Sequence, residues 1–377
     1  MPIRVLFSCT GVGIVNRGIE SFFREAFDNL QDLEGVQATL IKGAGQSSNK
    51  EQSVWCLPRT SFVTEKLGQV VGRNGYVMEQ WSSFLPIVRQ IRQLQPHIIF
   101  YSDSNLGFLL YWFRRQIGVP YRLLFSNGGP CNPPFIRKDF VHQVTPLYYQ
   151  QALEAGEPAH KHILVPYGIQ VSDEELITDT QSIQALRRSL NLPIHRPIVL
   201  SVGAIDPHSH KRMDYLIQEI ASLPAPRPYL VLLGQMSPAS KIILEQASRF
   251  LGTDHFTART VSYEAVSQYY QTADIFTLAS LNEGFGRVFL EALMYGLPCI
   301  IHDHPVMRYV LGSHGCFADF SKPTSLARVL SQILKSPSNC PQKSHERRKY
   351  VRDTFSWTTL APHYFSMFQH CLVQPTS

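Results

Sequence analysis

Short apolar runs alternate with helical stretches from one end of the chain to the other, and this alternation limits the possible folds most strongly. Apolar runs of about four to eight residues without strict alternation indicate strands buried on both faces. Strands that alternate with helices predict parallel βαβ units. In the first half the predicted strands are Ile3–Ser8, Gln37–Ile41, His97–Ser102, Tyr121–Phe125 and Ile163–Pro166. The predicted helices there are Gly18–Leu30, Val77–Leu94 and Leu106–Ile117.

The alternation restarts after a polar stretch at Ser172–Ser182, and we place a domain hinge at about 168–182. The strands predicted beyond it are Ile198–Val202, Tyr229–Leu233, Ile275–Leu278 and Cys299–His302. The helices predicted beyond it are Arg212–Ala221, Pro238–Phe250, Tyr263–Gln271, Gly286–Tyr295 and Ser325–Leu334. A loop is expected at 336–344, and the tail from His345 is expected to be helical with a break near Ser356.

These elements predict an α/β protein with two doubly wound domains. We expect the domains at residues 1–168 and 169–355, followed by a C-terminal helix at 356–377. In such sheets, ligands bind outside the carboxyl ends of the strands. Two facing domains would therefore place the active site in the cleft between them.

Composition excludes several classes of protein. Apolar residues make up 44% of the 377 residues and charged residues 17%, so the chain is not intrinsically disordered. The net charge of +6 is too small for a dedicated nucleic-acid binder, although it suits an anionic ligand or a contact with an anionic membrane surface. No apolar stretch approaches the ~18 residues that a membrane-spanning helix needs.

The N-terminus and the cysteines bear on the cellular compartment. The segment MPIRVLFSCTGVGIV resembles a signal peptide, but Asn16, Arg17 and Glu20 follow it instead of a small-residue cleavage site, so we interpret it as a buried first strand. The seven cysteines are odd in number and contain no Cys-x-x-Cys pair. This pattern favours a reducing compartment. We expect a cytoplasmic location, and a peripheral contact at the inner face of a membrane stays open.

The most informative motif lies in TLASLNEGFGRVFLEALMYGLP. A predicted strand ends before a loop with Glu283 and Gly284, and a helix begins near Gly286. Glycines let backbone N–H groups approach a ligand closely, and the helix N-terminus adds positive charge, so the pattern favours a phosphate. Glu291, about one and a half turns into the helix, leans back toward the same ligand. Two carboxylates beside an anion site suit the hydroxyls of a sugar and a ribose; a capped helix with two solvated glutamates is the alternative.

A second motif, SVGAIDPHSHKRMDYLI, places Lys211 and Arg212 at the start of a predicted helix. Cations at that end oppose the helix dipole, and a bound anion would offset the cost. Two solvated basic residues are the alternative interpretation.

Two further segments carry polar residues at the ends of predicted strands in the first half. Gly18, with Arg17 beside it, begins a helix and is able to present an N–H to a phosphate. The pattern Gly-x-Gly-x-x-Gly is absent here, so a dinucleotide-binding dehydrogenase is poorly supported. In LLFSNGGPCNPP, Asn127 and Gly128 follow a strand, and Asn127 is able to bond a sugar hydroxyl. A tight turn is the alternative there.

The sequence offers little support for a metal. It contains no Asp-x-Asp motif, and His208 and His210 have no evident third ligand. We interpret His302-Asp303-His304 as a loop that follows a strand. We therefore expect neither a metal nor a cofactor.

In this order, these residues resemble the family 4 retaining glycosyltransferases, whose GT-B fold has two Rossmann-like domains. The likeness is clearest over Ile198–Gly315, where Glu283 to Glu291 is similar to the family's Glu-x7-Glu signature. The resemblance implies that Glu283 lies near the donor sugar hydroxyls, Glu291 near the ribose and Lys211 near the diphosphate. It also implies that the helix at 356–377 packs back on the N-terminal domain.

The resemblance implies further donor contacts. Arg17 and Gly18 lie where the family has a glycine-rich loop, Thr260 and Val261 lie where its members contact the base, and the loop around Gly286 lies near the diphosphate. The donor-side residues so implied, besides Lys211 and the two glutamates, are Arg17, Gly18, Arg212, Thr260, Val261, Gly284, Phe285, Gly286, Arg287 and Val288. Two positions depart from the family. Ala204 stands where an Arg is common, and Ser126 and Asn127 stand where many members carry a His.

The resemblance implies a retaining, metal-independent transfer of a sugar from a nucleotide-diphosphate sugar to a hydroxyl of a glycan, lipid or small molecule. Glu283 and Lys211 would act in catalysis, with Asn127 and Gly128 near the sugar or acceptor. The alternatives are a nucleotide-sugar 2-epimerase on the same fold and a non-catalytic sugar-nucleotide-binding protein. The expected partners are the donor and an unidentified acceptor, with no nucleic acid, and a weak membrane contact stays open.

Overall fold

The computed structural model describes residues 1–15, 17–129, 131–171, 176–177, 179–335 and 340–374. The chain forms two compact units, one of Met1–Gln170 together with Phe355–Ser377, and one of Val171–Thr354. The hinge expected at about 168–182 includes residues 172–175 and 178, which lie outside the described residues.

The N-terminal unit is built on a seven-stranded parallel sheet in the order β3-β2-β1-β4-β5-β6-β7. The central strand β1 pairs on both sides, so that Val5 lies opposite both Ala38 and Ile98. The strands are β1 Ile3–Ser8, β2 Val36–Lys42, β3 Glu51–Ser53, β4 Ile98–Tyr101, β5 Arg122–Asn127, β6 Phe140–Gln143 and β7 His162–Leu164. The helices are α1 Gly18–Leu30, α2 Phe62–Val70, α3 Gly75–Ser82, α4 Phe84–Leu94, α5 Ser104–Trp112, α6 Arg114–Ile117 and α7 Pro146–Glu154, with a short 3-10 helix at Ala159–Lys161.

The second unit has a six-stranded parallel sheet in the order β10-β9-β8-β11-β12-β13. The strands are β8 Ile198–Val202, β9 Tyr229–Leu233, β10 Phe256–Arg259, β11 Ile275–Leu278, β12 Cys299–His302 and β13 Gly315–Ala318. The helices are α8 Thr180–Ser189, α9 Met213–Ala221, α10 Ser240–Leu251, α11 Tyr263–Thr272, α12 Arg287–Met294, α13 Pro305–Leu311, α14 Ser325–Lys335 and α15 Pro341–Phe355, with 3-10 turns at Thr253–His255 and Gly312–His314.

The last helix, α16 (Trp357–Val373), belongs to the N-terminal unit. Ser356 caps it by accepting a hydrogen bond from the amide of Thr359. The ring of Phe368 lies 6.2 Å from that of Phe7, and Tyr364 Oη donates to the carbonyl of Pro166 at 3.0 Å. The helix therefore completes a core whose other members come from the first half of the chain.

The strand order reverses once in each sheet, between β1 and β4 in the first and between β8 and β11 in the second. At such a point the connections leave in opposite directions and open a crevice at the carboxyl ends of the two strands. Residues that directly follow these four strands are therefore the first to consider as ligand contacts.

The structure confirms two α/β units with parallel sheets, and it differs from the prediction in several elements. It adds β3, β6, β10 and β13, and the helices α2, α7, α8 and α13. β6 (Phe140–Gln143) escaped prediction because His142 and Gln143 are polar, although both are fully buried. The predicted helix Val77–Leu94 is divided at Ser83, and Leu106–Ile117 is divided at Phe113.

Toward the C-terminus, the break expected near Ser356 is confirmed. Of the loop expected at 336–344, residues 336–339 lie outside the described residues, and the helix α15 begins at Pro341. None of the helices in the described ranges is both long and apolar enough to cross a membrane.

Candidate functional site

The carboxyl end of β8 is a place where two strands and a lysine come very close. A Cβ atom on Gly234, which follows β9, would lie 1.8 Å from the carbonyl oxygen of Gly203, which follows β8. A Cβ on Gly203 would in turn lie 3.1 Å from Cγ of Lys211. The absence of side chains at both positions therefore lets the stem of Lys211 lie across the strand end.

The head group of Lys211 forms an ion pair with Glu283. Its Nζ atom lies 2.7 Å from Glu283 Oε1, and the two side chains are only 17% and 7% exposed. Lys211 follows β8 and Glu283 follows β11, so the pair bridges the reversal point of the second sheet. The structure thus joins two residues, 72 apart in sequence, that the motifs identified separately.

His210 lies at the edge of this pair. Its Nε2 atom is 3.9 Å from Glu283 Oε1, and its side chain is 67% exposed. Burial and the Lys211 ammonium lower the pKa of His210, and the Glu283 carboxylate partly opposes them. Near neutral pH the imidazole is therefore mainly uncharged, which leaves Lys211 as the cation of this group.

The helix α12 begins immediately after the glycine motif. Gly286 has φ +78°, in the left-handed region, and it precedes the first helical residue without a side chain to cap the helix. Phe285 and Arg287 on either side are buried. Amides at such a helix start form a site that favours a phosphate. Glu283 and Gly284 lie in the loop that leads into it.

Glu291, on the second turn of α12, has a partner that the sequence did not reveal. Tyr270 Oη donates to Glu291 Oε2 at 2.9 Å and also lies 3.3 Å from the carbonyl of Val288. Burial, followed by the charge of Glu291, raises the pKa of Tyr270 well above its ordinary value, so the hydroxyl remains a donor. Tyr270 stacks on Tyr295 at 5.6 Å, which fixes the ring. It holds one oxygen of the carboxylate in place.

Arg212 has other contacts in this structure. Its guanidinium lies 3.2 Å from the carbonyl oxygen of Phe320 and 4.4 Å from the ring centroid of Tyr215. It also precedes α9 with φ +50°, an uncommon conformation for a residue other than glycine. In this arrangement Arg212 braces the loop before α9, and its role as a donor contact stays a prediction.

Thr260 and Val261 follow β10 at the same edge of the sheet. Thr260 is exposed, and its hydroxyl donates to the carbonyl of Gly234 at 2.8 Å. Because Gly234 touches Gly203, these contacts link the end of β10 to the strand that carries Lys211.

The side chains of His302, Asp303 and His304 all bond to other groups of the protein. His302 Nδ1 accepts from the amide of Phe320 at 3.1 Å, and His304 Nδ1 accepts from the amide of Val306 at 3.3 Å. Asp303 pairs with Arg308. In the part of the chain that the structure describes, no three His, Cys, Asp or Glu side chains are grouped to hold a metal ion.

In the N-terminal unit, Arg17 and Gly18 stand at the start of α1. Both are exposed, and a Cβ atom on Gly18 would meet no heavy atom within 4 Å. The space beside the Cα atom of Gly18 is thus open to solvent.

Asn127 and Gly128 are less accessible than the sequence indicated. The structure extends β5 to Asn127, whose side chain is fully buried and donates to Gln143 Oε1 at 2.9 Å, while its Oδ1 accepts from the amide of Cys131. A Cβ atom on Gly128 would lie 1.7 Å from Tyr167 Oη. Asn127 is therefore a strand residue that fixes the following loop, and the expectation of a loop amide open to a sugar is not met.

Sequence reasoning also missed a charge cluster at the reversal point of the first sheet. Thr10, after β1, donates its amide to Asp103 Oδ2, after β4, at 3.0 Å. Arg59 pairs with Glu79 at 2.5 Å and with Glu20 at 3.2 Å, and all four charged side chains are buried. Two carboxylates thus pair with one guanidinium, whose charge also acts on Asp103, and burial raises the pKa of Glu20 and of Asp103.

Comparison with known proteins identifies relatives of this chain. Residues 182–354 match the sequence model of the family described as glycosyl transferases group 1. Mannosylfructose-phosphate synthase of Agrobacterium fabrum is 25% identical over 250 residues, which are 63% of this chain and 54% of the relative. D-inositol 3-phosphate glycosyltransferase of Xylanimonas cellulosilytica is 30% identical over 163 residues, 42% of this chain and 38% of the relative. The chain thus spans about half or less of the curated relatives it matches.

Solved structures match over nearly the whole chain. Sucrose-phosphate synthase of Thermosynechococcus elongatus has a TM-score of 0.77 at 18% identity and covers 97% of this chain and 98% of its own. Anabaena Alr3699/HepE in complex with UDP and glucose has a TM-score of 0.75 at 15% identity and covers 97% and 99%. At such identities the likeness concerns the fold. The chain therefore has the GT-B fold, and its residues 182–354, less than half of the chain, are similar to glycosyl transferases group 1.

Proposed function

We propose that the chain transfers a hexose from a nucleotide-diphosphate sugar to an acceptor hydroxyl, with retention of the anomeric configuration and without a metal. The observation that carries the proposal is the ion pair of Lys211 and Glu283, with 2.7 Å between Nζ and Oε1 at the reversal point of the second sheet. It places a cation, a carboxylate and an uncapped helix start at neighbouring strand ends.

The departing diphosphate is the group whose charge must be stabilised. As the bond between the anomeric carbon and the phosphate oxygen breaks, negative charge develops on that oxygen. The ammonium of Lys211 and the amides that follow Gly286 are suited to stabilise it, because fixed donors in a partly buried site need little reorganisation. In this proposal these groups carry out what a metal does in other transferases.

The two carboxylates have separate tasks in the proposed mechanism. Glu283, oriented by Lys211, accepts a hydrogen bond from a hydroxyl of the donor sugar. Glu291, oriented by Tyr270 Oη at 2.9 Å, accepts hydrogen bonds from the ribose. A carboxylate accepts hydrogen bonds strongly from a diol but repels a phosphate. Glu283 before the helix start and Glu291 after it are therefore suited to the sugar and the ribose on either side of the diphosphate.

For retention, the acceptor hydroxyl attacks the face from which the diphosphate leaves. The bond from the acceptor oxygen to the anomeric carbon forms, the bond to phosphate breaks, and the acceptor proton moves to the phosphate oxygen. This step needs no base from the protein. The support for it is the resemblance of the Glu283 to Glu291 segment to retaining enzymes. One of the matched structures contains UDP-glucose, so a UDP-sugar is the first donor to test.

The decisive experiment compares Lys211→Met with Lys241→Met, which changes a lysine that is 81% exposed. After a thermal-shift screen of nucleotide sugars, donor hydrolysis and transfer are measured for both variants. We expect Lys211→Met to lose about 10²–10³ in kcat, as for other groups that stabilise developing charge, and Lys241→Met to keep the full rate. The thermal melt of each variant shows whether it remains folded.

Product stereochemistry by NMR and the rate in a chelator test the finer proposals. We expect the product to keep the donor's anomeric configuration and the rate to be unchanged by the chelator. Full activity of Lys211→Met would refute the assignment. Tight donor binding without any turnover would favour the non-catalytic alternative.

A further inference from the structure

The N-terminal unit contains a cavity of about 440 Å³, a size typical of small-molecule sites. Residues of α3 and α5 and the loop at 136–138 line it. Ser104 and Asn105, which follow β4 closely, are part of its wall, so it opens near the carboxyl end of that strand. None of the residues at the carboxyl edge of the second sheet takes part in it. We call it the cationic cavity.

Three cations line the cationic cavity: Arg73, Arg137 and Lys138. No aspartate or glutamate lines it. Among the described residues none of the three cations forms a salt bridge, whereas Arg59 and Arg114 in the same unit both pair with carboxylates. The wall therefore carries three positive charges without a salt-bridge partner among the described residues, and a bound anion would supply one.

Aromatic rings hold these cations at the wall. The guanidinium of Arg137 lies 4.6 Å from the ring centroid of Phe108 and 4.8 Å from that of Trp112. Lys138 Nζ lies 4.6 Å from the centroid of Phe125. Arg137 also has φ +63°, an uncommon conformation for a residue with a side chain. Both head groups are thus preorganised, and burial lowers the pKa of Lys138, a cost that a bound anion would offset.

Apart from Ser104 and Asn105, the rest of the wall is apolar or aromatic, and several of these side chains are accessible. Trp81 is 41% exposed, Phe108 44% and Ile136 61%. Large apolar side chains gathered around one opening indicate a ligand with an apolar surface. A bare phosphate or a phosphorylated polyol would leave this surface uncovered.

We propose that the cationic cavity binds an anionic amphiphile, a molecule with a phosphate or carboxylate group on an apolar body. The anionic group contacts Arg137, Lys138 and Arg73, and the apolar body covers Trp81 and Phe108. The inference deepens the proposed function and rests on it in one respect, namely that this ligand is the acceptor. The proposal that the cavity binds such a ligand depends only on its cations and aromatic rings, and not on the proposed transfer reaction.

The test measures binding to the full chain without a nucleotide sugar. Octyl phosphate below its micellar concentration, inorganic phosphate, and vesicles of phosphatidylglycerol or of phosphatidylcholine are each titrated while tryptophan fluorescence and heat are recorded. The cavity variant is Arg137→Gln with Lys138→Gln. The matched control is Arg89→Gln with Arg115→Gln, which removes the same charge at two exposed positions that do not line the cavity.

We expect octyl phosphate to bind at least tenfold more tightly than inorganic phosphate, and the cavity variant to lose at least tenfold in that affinity while the control changes less than twofold. Binding of phosphatidylglycerol vesicles with the same dependence identifies a lipid source, and octyl phosphate binding without vesicle binding identifies a soluble one. Equal affinity for both phosphates, or equal losses in both variants, overturns the proposal. Lys211→Met keeps this binding, so failure here and failure of the donor site are separable.

Discussion

Glu283 and Glu291 lie on the same motif but have different neighbours, and the neighbours define what each carboxylate does. Glu283 faces the Lys211 ammonium, while Glu291 accepts from the hydroxyl of the buried Tyr270. Replacing Lys211 removes a charged partner of Glu283, whereas replacing Tyr270 removes a neutral hydrogen-bond donor to Glu291, so the two replacements have different effects.

The first prediction concerns Tyr270→Phe. The variant removes one hydrogen bond to the Glu291 carboxylate, and such bonds contribute about 1.5–3 kcal/mol. Because Glu291 positions the ribose in the proposed mechanism, we expect the donor KM to rise about tenfold with kcat nearly unchanged. Tyr269→Phe is the control, since its hydroxyl contacts Arg259 at 3.1 Å instead. A fall in kcat at unchanged KM would contradict the positioning role.

The second concerns Glu20, which shares the Arg59 guanidinium with Glu79. Burial raises its pKa, so the folded state favours the protonated form, and the stability that this contributes is lost as pH rises above the unfolded value. We expect the unfolding free energy of Glu20→Gln, relative to wild type, to increase between pH 4 and pH 7. Chemical denaturation at several pH values measures this, with Glu34→Gln at an exposed position as the control. A difference independent of pH would contradict it.

At the scale of elements, the ends of β8 and β9 depend on two glycines. The carbonyl of Gly203 occupies the space that a side chain at Gly234 would need, and Lys211 occupies the space above Gly203. Backbone atoms cannot turn aside as a flexible side chain does. The close approach of these strand ends is therefore what brings the lysine to the edge of the sheet.

We accordingly expect Gly234→Ala to be destabilising by more than the about 1–3 kcal/mol typical of overpacking, because its Cβ would lie 1.8 Å from a carbonyl oxygen. The denaturation midpoint of the second unit should fall and donor binding should weaken with it. Gly129→Ala is the control, because nothing lies within 4 Å of its Cβ. Equal midpoints for the two variants would show that the strand ends relax.

At the scale of the whole molecule, the two ends of the chain build one unit. Tyr364, Met367, Phe368 and Cys371 of α16 are at most 1% exposed, and they pack in the unit that begins at Met1. A core assembled from distant segments unfolds when one of them is missing. The second unit, Val171–Thr354, is continuous in sequence.

We therefore expect a chain that lacks residues from Ser356 onward to lose the ordered N-terminal unit while the second unit persists. Limited proteolysis should cut within residues 1–170 and leave a protected fragment near 171–354. Phe368→Ala should weaken the same unit by about 3–5 kcal/mol, whereas Leu372→Ala, at a position 38% exposed, should change little. Protection of the N-terminal unit in the truncated chain would contradict this role of α16.

Local sequence patterns determined the fold class and the position of the principal motif. Fully buried parallel strands have continuous apolar sequences, so β8 and β11 were predictable. A glycine directly before an apolar helix is also visible in the local sequence, so the start of α12 was predictable. The strands β3 and β10 were not, because they lie at sheet edges and are only partly buried, and a half-exposed strand has no continuous apolar run.

Tertiary structure alone decided which side chains meet. Strand order is set by packing between distant segments, so the contact of Lys211 with Glu283 and that of Tyr270 with Glu291 have no signature in local spacing. Strand pairing also decided the surroundings of Asn127. Because β5 pairs with β6, Asn127 is a buried strand residue whose side chain is held by Gln143. The sequence determined which chemical groups stand at strand ends, and the folding of each sheet determined which of them became neighbours.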